Sequence, residues 1–106
     1  TILEIPGADD LPGAGTYYGI DALREHLQEI SQTFRLESVE AGTFQIRAAD
    51  DIVYHRCVAT FMFLPANKKY TTFHINEFEI RDGKIARRTV VADYDKLREI
   101  LREMPQ

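Results

Sequence analysis

Three polar side chains in the second half of the chain could together carry acid–base chemistry. His74 and Asn76 lie close together in one β-rich run, and Asp93 follows at the end of the next run. Imidazole titrates near neutral pH, a partly buried carboxylate can exchange a proton with a substrate, and a side-chain amide can donate a hydrogen bond to a developing enolate oxygen. This combination suits proton transfer next to a carbonyl group, provided that the three side chains share one face of a sheet.

A tight turn between the two runs predicts how they pair. Asp82-Gly83 separates them, and both residue types tolerate the positive φ angles that a type I′ turn requires. A two-residue turn places Arg81 opposite Lys84, and every further pair follows by counting along the strands. The count assumes that neither strand contains a bulge, because one extra residue would exchange the two faces beyond it.

This pairing places His74, Asn76 and Asp93 on one face, which becomes apolar toward the turn. An apolar wall with a few polar groups at one end is typical of a small-molecule pocket. His55 comes from the preceding strand next to an arginine, and only one of these two neighbours can point inward. The residues expected to line the pocket come from this face, from an early tyrosine pair and from that neighbouring arginine: Tyr17, Tyr18, Phe78, Thr72, Thr89, Val91 and Arg56.

The opposite face of the hairpin is predicted to form an interface between two copies of the chain. The strand before the hairpin is apolar on both faces, which indicates that both faces of the sheet are covered. An apolar centre with a polar rim is typical of protein interfaces. We therefore expect a homodimer through this outer sheet face. The predicted interface consists of Phe73, Ile75, Val90 and Ala92, edged by a Glu77–Arg88 pair.

The composition is that of an ordinary globular domain. The chain has 106 residues, 44% of them hydrophobic, and a net charge of -4. A negative charge disfavours nucleic acid and anionic membrane surfaces as partners, and no apolar run is long enough to span a bilayer. The single cysteine, Cys57, excludes an intrachain disulfide and indicates a reducing, cytoplasmic setting. Within its apolar strand it is expected to be a buried thiol.

No cofactor or metal ion is expected. Three histidines and one cysteine at scattered spacings match no metal-ligand pattern. Gly13-Ala14-Gly15 lacks the third glycine of a dinucleotide-binding fingerprint. His26, at the edge of a predicted helix, is expected to face solvent.

The periodicity of apolar residues predicts an α+β architecture. Consecutive strands joined by short turns predict a curved antiparallel meander, with an amphipathic helix covering one of its faces. Gly42 is expected to form a bulge or bend within the first long strand. The predicted elements are a Pro- and Gly-rich loop over 6–16, a helix over 21–34, strands over 36–48, 52–64, 70–81 and 84–92, and a final helix over 95–104.

Two blocks of the chain are similar to a known family. The first runs from Ile5 to Leu23 and joins a loop of prolines and glycines to Tyr17-Tyr18-Gly19 and the start of a helix. The second is the closing hairpin around Asp82-Gly83, followed by Asp93 and Leu97. In this order and spacing the blocks resemble the SnoaL-like and ketosteroid-isomerase-like proteins of the nuclear transport factor 2-like superfamily.

The resemblance implies a cone-shaped, cystatin-like fold in which a curved antiparallel sheet packs on helices around a pocket. It implies one SnoaL-like domain over residues 1–106, lacking the one or two helices that usually come first. In catalytic relatives an aspartate on the last strand acts in proton transfer, and Asp93 matches that position. The implied activity is a cofactor-free isomerisation, cyclisation, dehydration or hydrolysis of an apolar carbonyl, polyketide-like or steroid-like compound.

Less specific interpretations remain open for each of these residues. Asp93 could cap the final helix, as could Asp95. His74 could be a hydrogen-bonded core histidine, and Asn76 could satisfy polar groups of the sheet. The same fold could also serve as a non-catalytic ligand-binding or dimerisation module, because a fold alone does not determine a function. A hot-dog arrangement is disfavoured by the terminal helix and the Asp-Gly hairpin.

Overall fold

In the part of the chain that the structure describes, the β-rich runs form one curved sheet of seven strands, which packs with two helices. The computed structural model describes residues 1–6 and 10–104. In chain order, the elements are β1 (Ile2–Ile5), β2 (Gly15–Tyr18), α1 (Gly19–Thr33), β3 (Phe34–Val39), β4 (Gln45–Ala49), β5 (Ile52–Phe63), a 3-10 turn (Leu64–Ala66), β6 (Lys68–Arg81), β7 (Lys84–Ala92) and α2 (Asp95–Glu103).

The strand order is β2-β1-β7-β6-β5-β3, with β4 also pairing with β5. The long strands form the predicted antiparallel meander, and the α+β class is confirmed. One pair differs from the prediction, because β1 lies parallel to β7. The short N-terminal strand therefore extends the sheet beyond the hairpin. Neither helix in the described part of the chain is long and apolar enough to cross a membrane.

The predicted strand over 36–48 is two strands that both pair with β5. The chain turns between them at Gly42, whose φ of 80° explains the glycine. The Thr43 amide donates to the Glu40 carbonyl at 3.2 Å within this turn. The Thr43 hydroxyl accepts a hydrogen bond from the Val58 amide at 3.0 Å, which satisfies a β5 donor at the gap between β3 and β4. Gly42 was therefore predicted correctly as a bend.

The hydrophobic core joins α2 to the sheet and to the early loop. Its buried members are Leu11, Phe63, Leu97 and Ile100. Leu11 anchors the Pro- and Gly-rich loop predicted over 6–16, of which residues 7–9 lie outside the described part of the chain. The loop thus packs under α2 and closes one end of the sheet's concave face.

The Asp82-Gly83 turn has the predicted type I′ character, with φ angles of 52° and 74°. The pairs nearest the turn, including Ile80 with Ile85, follow the predicted count. A bulge then inserts Ala86 into β7, so that Glu79 lies opposite Arg87. The predicted register beyond this point is wrong, and every later β7 residue points to the face opposite the predicted one.

The bulge changes which residues face outward. Ala92 lies opposite His74, Val90 opposite Asn76, and Arg88 opposite Phe78, all on the concave face. Val91 is instead paired with Ile75 on the outer face. The predicted outer patch of Phe73, Ile75, Val90 and Ala92 is therefore wrong for its two β7 members, and the predicted Glu77–Arg88 edge pair does not form because those side chains point to opposite faces.

Candidate functional site

A cavity of about 210 Å³ lies between the concave face of the sheet, α1 and the loop around residue 12. Its wall is mainly apolar, with contributions from β1, β5, β7 and both helices. The polar and charged side chains in this wall are His26, Tyr70, Thr72, His74, Arg88, Asp93 and Tyr94. Its main apolar side chains are Leu3, Ile5, Leu11, Leu27, Ile30, Phe34, Phe61, Val90 and Leu97.

Two of the three predicted catalytic residues line this cavity, namely His74 and Asp93. Thr72, predicted to line the pocket, also does so. Asn76 lies behind the wall and is only 3% exposed. It contacts His74 directly, so the predicted set of His74, Asn76 and Asp93 is brought to one region of the molecule. Whether the set is catalytic stays a prediction.

The other residues predicted to line the pocket lie elsewhere. Thr89 and Val91 point to the outer face because of the bulge, and Arg56 does so because it alternates with the inward-facing Cys57. Tyr18 is 70% exposed at the sheet edge. The Tyr17 hydroxyl donates to the Ala14 carbonyl at 2.9 Å and braces the loop. The ring of Phe78 packs near the Arg88 guanidinium, 5.9 Å away, beyond the end of the cavity.

His26 is buried rather than solvent-facing, at 8% exposure. Its Nε2 lies 2.8 Å from the Gly13 carbonyl, and its ring packs on Tyr17 with centroids 4.2 Å apart. The histidine therefore ties α1 to the loop at the cavity wall. Helical spacing alone placed it at the edge of the apolar stripe, and the loop that covers it could not be positioned from the sequence.

Arg88 is a further residue of the cavity wall that the sequence did not identify. It was assigned to the outer face, and the bulge at Ala86 turns it inward. Its Nε donates to Asn76 Oδ1 at 2.9 Å. A bulge formed by alanine carries no local sequence pattern, so the sequence could not have located this guanidinium.

The Arg88 contact determines the orientation of the buried Asn76 amide. A guanidinium can only donate, so the amide oxygen must face Arg88 and the amide nitrogen must face the other way. That nitrogen lies 3.1 Å from His74 Nδ1 and 3.2 Å from His55 Nδ1. Both imidazoles therefore accept at Nδ1 and carry their proton on Nε2. His74 is thereby presented as a neutral hydrogen-bond donor in the cavity wall.

The environment of His74 keeps it uncharged near neutral pH. Burial, together with the nearby charge of Arg88 and a smaller electrostatic contribution from His55, lowers the pKa of His74 to about 4. A neutral imidazole that carries its proton on Nε2 can polarise a carbonyl oxygen, but it is a poor proton acceptor at that atom. Among the residues that line the cavity, a base is therefore better supplied by Asp93.

Asp93 is fixed at the junction between β7 and α2. Its backbone amide donates to Thr72 Oγ1 at 2.9 Å. Its Oδ1 accepts a hydrogen bond from the amide of Asp95, the first residue of α2, at 3.1 Å, whereas the N-cap position of the helix is Tyr94. This hydrogen bond occupies one carboxylate oxygen, so the second oxygen remains for a substrate in the cavity. A contact with the start of α2 and proton transfer are thus compatible in this position.

His55 completes the polar cluster behind the cavity wall. Its ring packs on Phe44 with centroids 4.5 Å apart, and its Nε2 is buried without a hydrogen-bond partner among the described residues. Of the neighbouring pair, His55 is the one that points inward. Cys57 is buried as predicted, and burial raises the pKa of its thiol, which makes it a poor nucleophile. Within residues 1–6 and 10–104, no group of three or more potential ligands is arranged to hold a metal ion.

The low pKa of His74 predicts that acid destabilises the protein. The unfolded chain takes up this proton near pH 6.5 and the folded chain near pH 4, so protonation favours unfolding between these values. The stability is complete above pH 6.5 and is lost as the pH falls toward 4. We expect the free energy of unfolding to drop by about 1–2 kcal/mol between pH 7 and pH 5, after allowance for solvent screening.

Urea denaturation of the wild type and of His74→Gln at both pH values measures this effect. All other titratable groups are present in both proteins, so the difference between their losses of stability from pH 7 to pH 5 isolates the contribution of His74. Equal losses of stability in the two proteins, or an NMR titration of the His74 ring near pH 6.5, would contradict the prediction.

No protein-family model matches the sequence. The structure is similar to an NTF2-like protein from Burkholderia xenovorans, with a TM-score of 0.81, 22% identity and coverage of 93% of this chain and 72% of the other. A candidate isomerase from Bacillus subtilis has a TM-score of 0.79 at 19% identity, over 98% and 74% of the two chains.

A third similar structure is a candidate SnoaL-like polyketide cyclase from Mesorhizobium loti. It has a TM-score of 0.67 and 17% identity, and the match covers 85% of this chain and 73% of the other. At these identities the likeness concerns the path of the backbone rather than the chemistry of the site. The chain therefore has the NTF2-like fold that SnoaL-like proteins share, as the two sequence blocks predicted.

Proposed function

We propose that the protein binds a small carbonyl compound in its cavity and isomerises it by cofactor-free acid–base chemistry. The observation that carries this proposal is that Asp93 and the neutral imidazole of His74 line the same apolar cavity. A carboxylate for proton transfer and a hydrogen-bond donor for the carbonyl oxygen are the two groups that enolisation requires. The fold shared with candidate isomerases and a candidate cyclase agrees with this class of reaction.

The reaction would proceed through an enolate. The Asp93 carboxylate removes a proton from the carbon next to the carbonyl, and the C–H electron pair forms a new carbon–carbon double bond while the carbonyl π pair moves to oxygen. The Nε2–H of His74 donates a hydrogen bond to that oxygen as its negative charge grows. The substrate carries a β,γ double bond, and in the second step the oxygen pair re-forms the carbonyl while the enolate π pair moves to the α,β bond. The β,γ π pair takes the proton back from Asp93 at the γ-carbon, which yields the conjugated isomer and regenerates the carboxylate.

Asn76 would act as a positioning residue in this scheme. It is buried and touches His74 at Nδ1, so it holds the imidazole in the tautomer that donates from Nε2. Arg88 in turn orients the amide. The donor in the cavity wall is thus set before any ligand arrives, which avoids reorganisation during the reaction.

The size of the cavity restricts the substrate. A cavity of about 150 Å³ is large enough for benzene. The volume of about 210 Å³ therefore matches a compound of one substituted six-membered ring. A polyketide-like or steroid-like compound would have to extend past the exposed Leu27 at the cavity edge. We propose a single-ring carbonyl compound as the substrate class.

The isomerisation of cyclohex-3-enone to cyclohex-2-enone tests this proposal, because the conjugated product absorbs in the ultraviolet. We expect the wild-type protein to accelerate the reaction above the buffer rate in proportion to protein concentration. Ligand-detected NMR on the same samples reports whether the ketone binds. Binding without acceleration would contradict the isomerase and leave a protein that only binds ligands.

We further propose that two copies of the chain associate through the outer face of the sheet. Phe73, Val91 and Tyr54 are each about 40% exposed on that face, at 39%, 39% and 43%. Phe73 lies opposite Val58 and next to Ile75, which in turn lies opposite Val91, so these four apolar residues are contiguous. Tyr54 lies at the edge of this patch, beyond Arg56 and Glu77. An apolar area of this kind is typical of an interface.

Sedimentation velocity measures this association, and Phe73→Glu places a charge in the centre of the patch. We expect the wild type to sediment as a dimer and the Phe73→Glu variant as a monomer. Ile85→Glu is the matched control, because Ile85 is 44% exposed but points to the other face near the turn. A monomeric wild type, or a Phe73→Glu variant that remains a dimer, would exclude this interface.

A further inference from the structure

The Arg88 guanidinium is a charge within an apolar cavity wall. Arg88 is half-buried and lines the cavity on the side of Val90 that is nearer the Asp82-Gly83 turn. Its one recorded side-chain hydrogen bond among the described residues goes to Asn76 Oδ1, a neutral acceptor. A guanidinium has five N–H groups, so most of its donors remain for another partner.

The described residues supply no carboxylate to balance this charge. None of their ion pairs involves Arg88, whereas the neighbouring Arg87 pairs with both Glu4 and Glu79. Buried charges in proteins are normally paired or hydrogen-bonded, because their removal from water is costly. The nearby face of Phe78 offers a cation–π contact but accepts no hydrogen bond. The guanidinium is therefore suited to an anion that comes from outside the chain.

The two charged groups of the cavity lie at opposite ends of one wall. Arg88 and Ala92 are separated by four residues of extended strand, which is about 13 Å, and Asp93 follows Ala92. Val90 and Ala92 form the apolar wall between them, and His74 lies opposite Ala92. An anion bound by Arg88 would thus be kept away from the Asp93 carboxylate, which limits the repulsion between the two.

We propose that the cavity takes a small carboxylate-bearing compound, whose carboxylate is bound by Arg88 while its ring lies on the apolar wall. This inference rests on the proposed function, since it names the substrate class of the same site. A planar guanidinium matches a carboxylate with two parallel hydrogen bonds, which distinguishes this anchor from a simple positive charge. The carbonyl group that reacts would then lie toward His74 and Asp93.

Benzoate and benzamide test the proposal, because they have the same shape and differ in charge at pH 7. Titration of the full chain, followed by protein NMR, measures both dissociation constants. We expect benzoate to bind about 10- to 100-fold more tightly than benzamide, since hydrogen bonds to charged groups are the stronger ones. Equal affinity for the two compounds, or no detectable binding of benzoate at 10 mM, would overturn the proposal.

The variant Arg88→Gln should reduce benzoate affinity to that of benzamide and leave benzamide binding unchanged. Arg88→Lys keeps the charge but loses the paired donors, so it should recover only part of the preference. Arg87→Gln is the matched control, because that arginine points to the outer face and should leave both affinities unchanged. A benzoate preference that survives in Arg88→Gln would contradict the assignment of the anchor.

The comparison of benzoate and benzamide affinities in the wild-type protein does not depend on how well a variant folds. It is also independent of catalysis, because Asp93→Asn should retain the benzoate preference. Benzoate binding that depends on Arg88, without isomerisation of any ketone, would overturn the proposed reaction and leave the anion site. Isomerisation of a neutral enone without preference for benzoate would overturn the anion site and leave the reaction.

Discussion

Replacement of Asp93 by asparagine should lower the isomerisation rate by about 10²- to 10⁴-fold, the usual contribution of a positioned general base. The amide keeps the shape of the side chain but cannot accept a proton from carbon. Asparagine keeps a side-chain oxygen that accepts hydrogen bonds, so the hydrogen bond from the Asp95 amide can persist. Kinetics of the cyclohexenone assay, together with urea denaturation, should show a large loss of rate and little change in stability.

Asp95→Asn is the matched control for this prediction. It makes the same chemical change two residues away, at an exposed carboxylate that pairs with Arg98. This variant should retain the wild-type rate. A rate in Asp93→Asn that equals the rate in Asp95→Asn would mean that the Asp93 carboxylate only contacts the start of α2. In that case Asp93→Ala should destabilise the protein by about 1 kcal/mol without a further effect on the rate.

Removal of the Asn76 side chain should have the largest effect on stability. The amide accepts from Arg88 and donates to His74, which both line the cavity, and it also donates to His55 behind the wall. Asn76→Ala leaves three polar partners without their hydrogen bonds, one of them charged. Because unsatisfied buried groups cost about 1–3 kcal/mol each and such networks are only partly additive, we expect a loss of about 3–5 kcal/mol in the free energy of unfolding.

Urea denaturation measures this loss, with Thr71→Ala as the control on the same strand. Thr71 makes one exposed hydrogen bond to Thr60, so its removal should cost less than about 1 kcal/mol. A loss in Asn76→Ala no greater than in Thr71→Ala would show that the network contributes little to stability.

The variant Asn76→Asp tests the inferred tautomers separately from stability. A carboxylate can accept from Arg88 but cannot donate to an imidazole, so His74 would need a proton on Nδ1. The added negative charge and the new acceptor should both raise the pKa of His74 above its value of about 4. NMR titration of the ring proton measures this shift. A pKa that stays near 4 in the variant would contradict the orientation assigned to the amide.

The elements of the fold could largely be predicted from local sequence. Amphipathic spacing located both helices, and Asp82-Gly83 located the turn, because these features depend on residues that are neighbours along the chain. The division of the strand predicted over 36–48 was only partly visible, as the bend at Gly42. The parallel contact between β1 and β7 was not visible, because it joins segments from the two ends of the chain.

The site could be predicted in part. His74 and Asp93 line the cavity as the hairpin count indicated, although the count itself was wrong beyond Ile80. His74 faces inward through its position in β6, which the bulge does not affect. Asp93 reaches the cavity because the chain turns into α2 immediately after β7 and Thr72 holds its backbone. The β7 assignments failed because one extra residue reverses every later side chain.

The sequence by itself determined the NTF2-like class of fold, the hairpin turn and the carboxylate at the junction of strand and helix. Only the tertiary structure decided that Arg88 lies inside, that Asn76 joins it to His74, and that Thr89 and Val91 lie outside. The physical reason is the bulge at Ala86. The bulge occurs together with contacts between different strands, such as Glu79 with Arg87 and Arg88 with Asn76. These contacts join residues that are distant along the chain, so no local sequence pattern predicts them.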